Sequence, residues 1–276
     1  MSFITLAREL GSISVADILR LSESLGMECI GKEFVEKRFN EIGIPRDSLR
    51  EYDEKMPGFF SRLFRGEPDH YLDTLRTVLF YEVQQGNKLI VGRGANFIFS
   101  NVPNCLRIRL IASPEVRLKN VMEWEGCSKA KAQSMIDKSD NERAGFCLFH
   151  YNEDWFDSKN YDVIVKTDTM TVERLTVFLK TSMETIMTPE REAEGQKVLD
   201  DRVISRTISY RILRQECLQV RFLVVDVDGG KVVLKGMAMS EIVSQRATEI
   251  AEQIKGVVSV DNQLKIMTNP LPRRVV

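Results

Sequence analysis

The sequence predicts an α/β fold: a parallel sheet of about five strands flanked by helices, followed by a small α+β unit. Three observations predict it. Short apolar runs alternate with helix-length segments through residues 1–187, the pattern of a parallel sheet covered on both faces. The first run leads through the turn GSIS, Gly11–Ser14, straight into an amphipathic helix, the outline of a phosphate-binding loop. Past residue 197 the pattern changes to a hairpin, a helix and a strand.

The elements follow in order. Phe3–Leu6 is a short apolar strand, and a helix is expected near Val15–Leu25. Glu28–Ile30 reads as a second strand. Helical segments follow at Lys32–Glu41, Ser48–Phe64 and His70–Gln85. Lys88–Val91 is a third strand, closed by Gly92-Arg93-Gly94. Leu106–Ala112 is a fourth, with a helix from Pro114. Tyr161–Lys166 is a fifth, followed by a helix near Val172–Met187. Residues 188–197, TPEREAEGQK, are polar and contain Pro189 and Gly195, so they read as a linker.

The second unit spans residues 198–276. A helix near Val198–Gln215 precedes a strand whose Leu223, Val225 and Val227 share one face. Val220, Phe222 and Val224 take the other face, which turns polar at Asp226 and Asp228. Asp228-Gly229-Gly230 turns the chain, because glycine supplies the positive φ of a tight hairpin. Lys231–Gly236, a helix at Ser240–Ile254 and a strand at Ser259–Ile266 complete the unit, and the tail NPLPRRVV reads as frayed.

Composition excludes several classes of function. Net charge is −1 over 276 residues, which gives no reason to expect nucleic acid or membrane as partner. Residues 196–276 carry 13 Lys+Arg against 9 Asp+Glu, a mild excess. Cys29, Cys105, Cys127, Cys147 and Cys217 form no CxxC pair, so no disulfide framework or zinc site is expected, and a reducing cytoplasm fits them. No apolar run reaches membrane-spanning length. No metal cluster and no Ser–His–Asp set stands out. Glu33, Glu36 and Glu41 are expected to face water, Met183 and Met187 to pack in the core, and His150 to serve as a lid residue.

Several segments carry a resemblance. ITLARELGS at the N-terminus, KEFVEKRFNEIGIPRDSLREYDEK, LIVGRGANFI, KSDNERA and DWFDSKNYDVIVKT occur in the order and spacing of the cytidylate-kinase-like family. Residues 1–187 resemble that branch of the nucleoside monophosphate kinases. VRFLVVDVDGGKVVLKG and AEQIKGVVSVDNQLKI resemble a BON domain, an interaction module without chemistry of its own. The resemblance implies a P-loop kinase-like sheet, ATP with Mg²⁺ as donor if the phosphate loop works, and a CMP-like acceptor. The BON-like unit would take a ligand or protein partner that the sequence does not specify.

Phosphoryl transfer demands positioning and charge neutralisation more than covalent help. By resemblance, a GSGG-like loop would hold the donor, and here it reads Gly11, Ser12, Ile13, Ser14. A β-branched residue at positive φ is an outlier, so Ile13 is expected to distort or reshape the loop. Ser12 and Ser14 either line a phosphate cradle or simply cap the helix. Arg93, with Asn96 nearby, follows a buried strand at the end where open α/β sheets bind ligands. Its guanidinium either forks onto a monophosphate or makes a surface ion pair. Lys138, Asp140 and Arg143 match the family's lid, although alone they would read as a solvated helix face. Arg117 matches a donor-phosphate position. Asn120 and Gly145 stand where the family commonly has arginines, and Arg8 and Lys32 are nearby cations that could compensate.

The lost groups fall at phosphate-handling positions while fold-bearing positions are kept. The resulting expectation is a nucleotide-binding or regulatory protein with an eroded phosphate loop. An active cytidylate-type kinase is the alternative.

Overall fold

The computed structural model describes residues 2–41 and 68–267. The helix expected at Ser48–Phe64 and the tail NPLPRRVV lie outside the described residues. The chain divides into two compact units, residues 1–195 and 196–276.

The first unit is built on one parallel sheet. Its strands are β1 (Phe3–Arg8), β2 (Glu28–Ile30), β3 (Lys88–Val91), β4 (Cys105–Ile111) and β5 (Val163–Lys166). The spatial order is β2-β3-β1-β4-β5, so the N-terminal strand lies at the centre. Ile4 pairs with Leu89 on one side and Leu106 on the other. All three side chains are fully buried, as both faces of a central parallel strand should be.

The intervening helices are α1 (Val15–Leu25), α2 (Lys32–Glu41), α3 (Pro68–Val83), α4 (Ala95–Ile98), α5 (Pro114–Glu125), α6 (Lys129–Tyr151) and α7 (Val172–Ile186). Their ends have local causes. Ser14 caps α1 by accepting from the Asp17 amide, and Gly26 ends it at φ +68, where a side chain would be strained. Ile18 and Leu21 bury the face of α1 that meets Leu175 and Leu179 of α7 in the core. Met183 and Met187 pack against this core, as expected. Helix α6 extends through the whole segment expected only as a lid face. Ser128 caps it and Asn152 ends it at φ +54.

Residues 188–197 are largely helical. Helix α8 runs Pro189–Tyr210. Thr188 accepts from the Arg191 amide, and Glu190 and Glu192 occupy the first turn, so the start carries an N-cap and first-turn acids. Gly195 sits where a Cβ would lie 2.6 Å from the Asn104 Cβ; it serves close packing instead of flexibility.

The second unit contains β6 (Val220–Asp228), β7 (Lys231–Ala238), α9 (Glu241–Glu252) and β8 (Ser259–Ile266). β6 and β7 are antiparallel, and β8 joins β7 in parallel. The two-face alternation expected for β6 holds only in part. The register shifts between Arg221 and Val224, Phe222 takes φ +53, and its ring is 80% exposed. The bulge resets the alternation, so Val220 and Val225 both reach the core. Opposite it, a Cβ on Gly236 would lie 2.8 Å from the Arg221 carbonyl oxygen. The hairpin turn is held from the helix: the Asp201 carboxylate accepts from the amides of Gly229 and Gly230 at 2.9 and 3.0 Å.

Candidate functional site

The site begins where β1 ends. Five consecutive carbonyls of the loop, Glu9 to Ile13, each accept a hydrogen bond. Ser12 donates to Glu9 from its hydroxyl at 2.8 Å, and Arg117 Nε to Leu10 at 2.8 Å. Asn120 Nδ2 donates to Gly11 at 2.8 Å, Thr167 Oγ1 to Ser12 at 2.7 Å, and Arg8 to Ile13 at 3.0 Å. The amides of Ile13 through Ala16 have no partner among the described residues. The loop is therefore rigid, with its carbonyls spent and its helix-end amides uncommitted.

Ile13 corrects an expectation. It does not take positive φ, and its side chain joins the core of Ile4, Leu6 and Ile18. Burial of an apolar side chain, not distortion of a nest, accounts for it. Gly11 does take positive φ, +91, and a Cβ there would lie 2.6 Å from the Arg117 carbonyl oxygen. The surviving glycine thus lets α5 approach. Ser14 accepts from the Asp17 amide at 3.0 Å and donates to its carboxylate at 2.8 Å, so both of its hydrogen bonds serve the cap of α1. The Asn120 amide is spent on the loop, at the Gly11 carbonyl.

Behind the loop lies a buried ionic network. Glu9 accepts from Arg109 at 2.9 Å and lies 3.5 Å from Arg117. Arg117 forks onto Asp140 at 2.9 and 2.8 Å. Arg109 is capped by the Trp155 ring, 4.5 Å from its guanidinium carbon. Two residues expected to handle phosphate, Arg117 and Asp140, are thus engaged with each other. Lys138 is 74% exposed and lies 3.7 Å from the buried Glu142.

A cleft of about 700 Å³ opens at the carboxyl ends of β1, β2 and β3, where such sheets bind ligands. Its charged lining comprises Arg8, Lys32, Lys37, Arg93 and Arg143 against Glu33 and Glu142. The excess of positive charge suits an anion. Phe34, Phe146 and Trp155 give it apolar and aromatic walls. Cys29 also lines it, and burial pushes its thiol upward.

Arg93 and Asn96 are brought together here. Gly92, Arg93 and Gly94 take φ of +73, +61 and +62 in succession. This left-handed turn leaves Arg93 6% exposed. Asn96 is 4% exposed, and its Nδ2 has no hydrogen-bond partner among the described residues. Of the residues expected at the site, Arg93, Asn96 and Arg143 line the cleft; Gly11, Ser12, Ser14, Arg117, Lys138 and Asp140 do not. Arg8 and Lys32 both line it. Lys37, Phe34 and Trp155 were not anticipated. The signal for the first two was the position of α2, which starts directly after the end of β2. Among the described residues, no group of three His, Cys, Asp or Glu is placed to hold a metal ion.

The cytidylate kinase-like family model matches residues 3–169, more than half of the chain and all of the site just described. The chain belongs to the cytidylate kinase-like family. The BON domain model matches residues 200–268. An uncharacterized protein from Eubacterium ventriosum shares the fold at 21% identity, with TM-score 0.51, covering 67% of this chain and 99% of its own. A shikimate kinase from Bacteroides thetaiotaomicron aligns at 17% identity, TM-score 0.41, over 66% and 98%. A dephospho-CoA kinase from Campylobacter jejuni aligns at 13%, TM-score 0.33, over 66% and 97%. No curated protein matches. Among the described residues of this family member, no helix is long and apolar enough to cross a membrane.

Proposed function

We propose that this chain is a nucleotide-binding protein of the kinase fold whose cleft takes a phosphate monoester, a nucleoside monophosphate of the CMP type, and that its BON domain couples that binding to a partner. The observation that carries the reading is the buried Asn96 amide, whose Nδ2 has no partner among the described residues, beside the left-handed Arg93 turn in a cationic cleft. A buried donor without a partner costs about 1–3 kcal/mol, and a ligand oxygen would recover that. Arg93 and Arg143 would neutralise the phosphate, and the walls of Phe34, Phe146 and Trp155 would pack the base. Efficient transfer is disfavoured because Arg117 and Asp140 are paired together and Lys138 faces solvent.

Titration calorimetry of the full chain with CMP tests this. Binding that Arg93→Ala and Asn96→Ala each weaken at least tenfold supports the reading. No CMP, AMP or other nucleoside monophosphate binding overturns it.

The rigid loop favours a second reading. Its uncommitted amides from Ile13 to Ala16, with Arg8 bonded across the loop, are a preformed seat for one phosphoryl group. ATP with Mg²⁺ would then be the donor of a slow phosphotransferase. Phosphate transfer from ATP to CMP that Arg8→Ala abolishes would establish it, and its absence at high enzyme concentration would remove it.

A further inference from the structure

We propose that Tyr151, the last residue of α6, is the positioning residue of the Arg93 turn. The inference rests on the reading of the cleft as a phosphate-monoester site. A non-glycine residue in the left-handed region is held there only when its surroundings over-determine it, and Arg93 sits at φ +61. Tyr151 supplies the surroundings. Its hydroxyl donates to the Arg93 carbonyl at 3.0 Å. Its ring stacks on Phe97, with centroids 5.2 Å apart. The ring also leaves no room beyond the turn: a Cβ on Gly94 would lie 2.8 Å from its Cζ and 2.9 Å from its hydroxyl oxygen.

The contact has a direction. The hydroxyl grips the peptide of Arg93 and leaves the guanidinium to the cleft and to Tyr71, whose hydroxyl lies 3.5 Å from Nη1. Helix α6 also presents Arg143 and Phe146, eight and five residues upstream, to the same cleft. One rigid helix thus fixes both an anion-binding arginine of its own and the backbone of the other. Tyr151 touches no ligand in this arrangement; it acts through Arg93.

Tyr151→Phe removes the hydroxyl and keeps the ring. Two measurements on the full chain decide the matter. The first is amide hydrogen exchange. The Ala95 amide donates to Gly92 and the Phe97 amide to Gly94, so both report the turn. In Tyr151→Phe both are expected to exchange about tenfold faster, while Leu89 and Ile90 of β3 keep their wild-type rates. The second is CMP affinity in a double-mutant cycle with Arg93→Ala. Tyr151→Phe is expected to weaken CMP roughly tenfold when Arg93 is present and to change nothing when it is absent. Unchanged exchange at Ala95 and Phe97 overturns the proposal. An equal loss of affinity in both backgrounds overturns it too, because Tyr151 would then act independently of Arg93. Faster exchange in a protein whose wild type binds no monophosphate supports the hold of Tyr151 on the turn and overturns the reading of the cleft.

Discussion

Arg117 and Asp140 meet through two parallel N–H···O bonds, of 2.9 and 2.8 Å, that join α5 to α6. The same guanidinium reaches back to the Leu10 carbonyl at 2.8 Å. One arginine therefore ties the phosphate loop, the helix after β4 and the long helix α6 into a single body. Removing Asp140 leaves Arg117 buried, with the Leu10 carbonyl on its Nε and the Glu9 carboxylate 3.5 Å from Nη1. Asp140→Ala should cost about 2–4 kcal/mol, somewhat less than loss of a fully buried partner. Urea unfolding checks this, and a cost below about 1 kcal/mol would show that the pair is solvated.

Ile13 invites the repair that the sequence suggests, restoring a glycine to the loop. The repair should fail. Its side chain packs with Ile4, Leu6 and Ile18, so Ile13→Gly should destabilise the first unit by about 3–5 kcal/mol through lost burial and gained backbone entropy. ATP affinity should not rise. Tighter ATP binding in a folded Ile13→Gly variant would show that the isoleucine is itself the obstacle.

Phe222 holds its ring 80% exposed at φ +53. A bulky residue in that region costs about 1–2 kcal/mol, and this one recovers little by burial. Phe222→Gly should therefore stabilise the second unit by about 0.5–1 kcal/mol after the entropy of the unfolded glycine is counted. Thermal unfolding would register this as a raised Tm. A lowered Tm would mean that the exposed ring contributes packing that the bulge conceals.

His150 sits against the rings of Phe146 and Phe149, 4.6 and 4.9 Å away between centroids. Burial first, and Arg76 second, push its pKa down from 6.5 to about 4. The native state then binds fewer protons than the unfolded chain between those values, so stability rises with pH through this window and is lost as pH falls. His150→Phe should flatten that part of the stability profile, leaving the carboxylate contribution below it. An identical slope from pH 7 to 4 in wild type and variant would refute the assignment.

The sheet was legible because its signals are local. Ser14 and Gly26 bracket α1, and Lys88–Val91 is an apolar run closed by glycine. The later part of α8 falls in the helix expected near Val198–Gln215, but its first turns are masked by Pro189 and Gly195, which read as linker residues. Thr188 and Pro189 in fact form a start signal, and Gly195 faces Asn104. The long helix α6 was illegible for a different reason. Its buried residues, Ala132, Ile136, Glu142, Phe146 and Cys147, share one face, but the acid Glu142 lies inside that face and the apolar Leu148 and Phe149 are exposed outside it, so the apolar pattern is blurred. At the site, Arg93 and Asn96 could be placed from the strand before them. The engagement of Arg117 with Asp140, 23 positions away, is a tertiary pairing that no local pattern announces. The conformation of Ile13 is not legible in the sequence, because a motif's spacing fixes the residue but not its φ.

The central place of β1 sets the order in which the first unit can assemble. Residues 3–8 find their two neighbours only at 88–91 and 105–111. Both ladders therefore close loops of about 80 to 100 residues before they return any pairing energy. During synthesis, the segment that ends as the innermost strand must wait, apolar and unpaired, until about a third of the chain has emerged. Nascent chains arrested before residue 88 should expose Phe3–Arg8 to chaperones and proteases, and chains arrested well past 111 should begin to protect it.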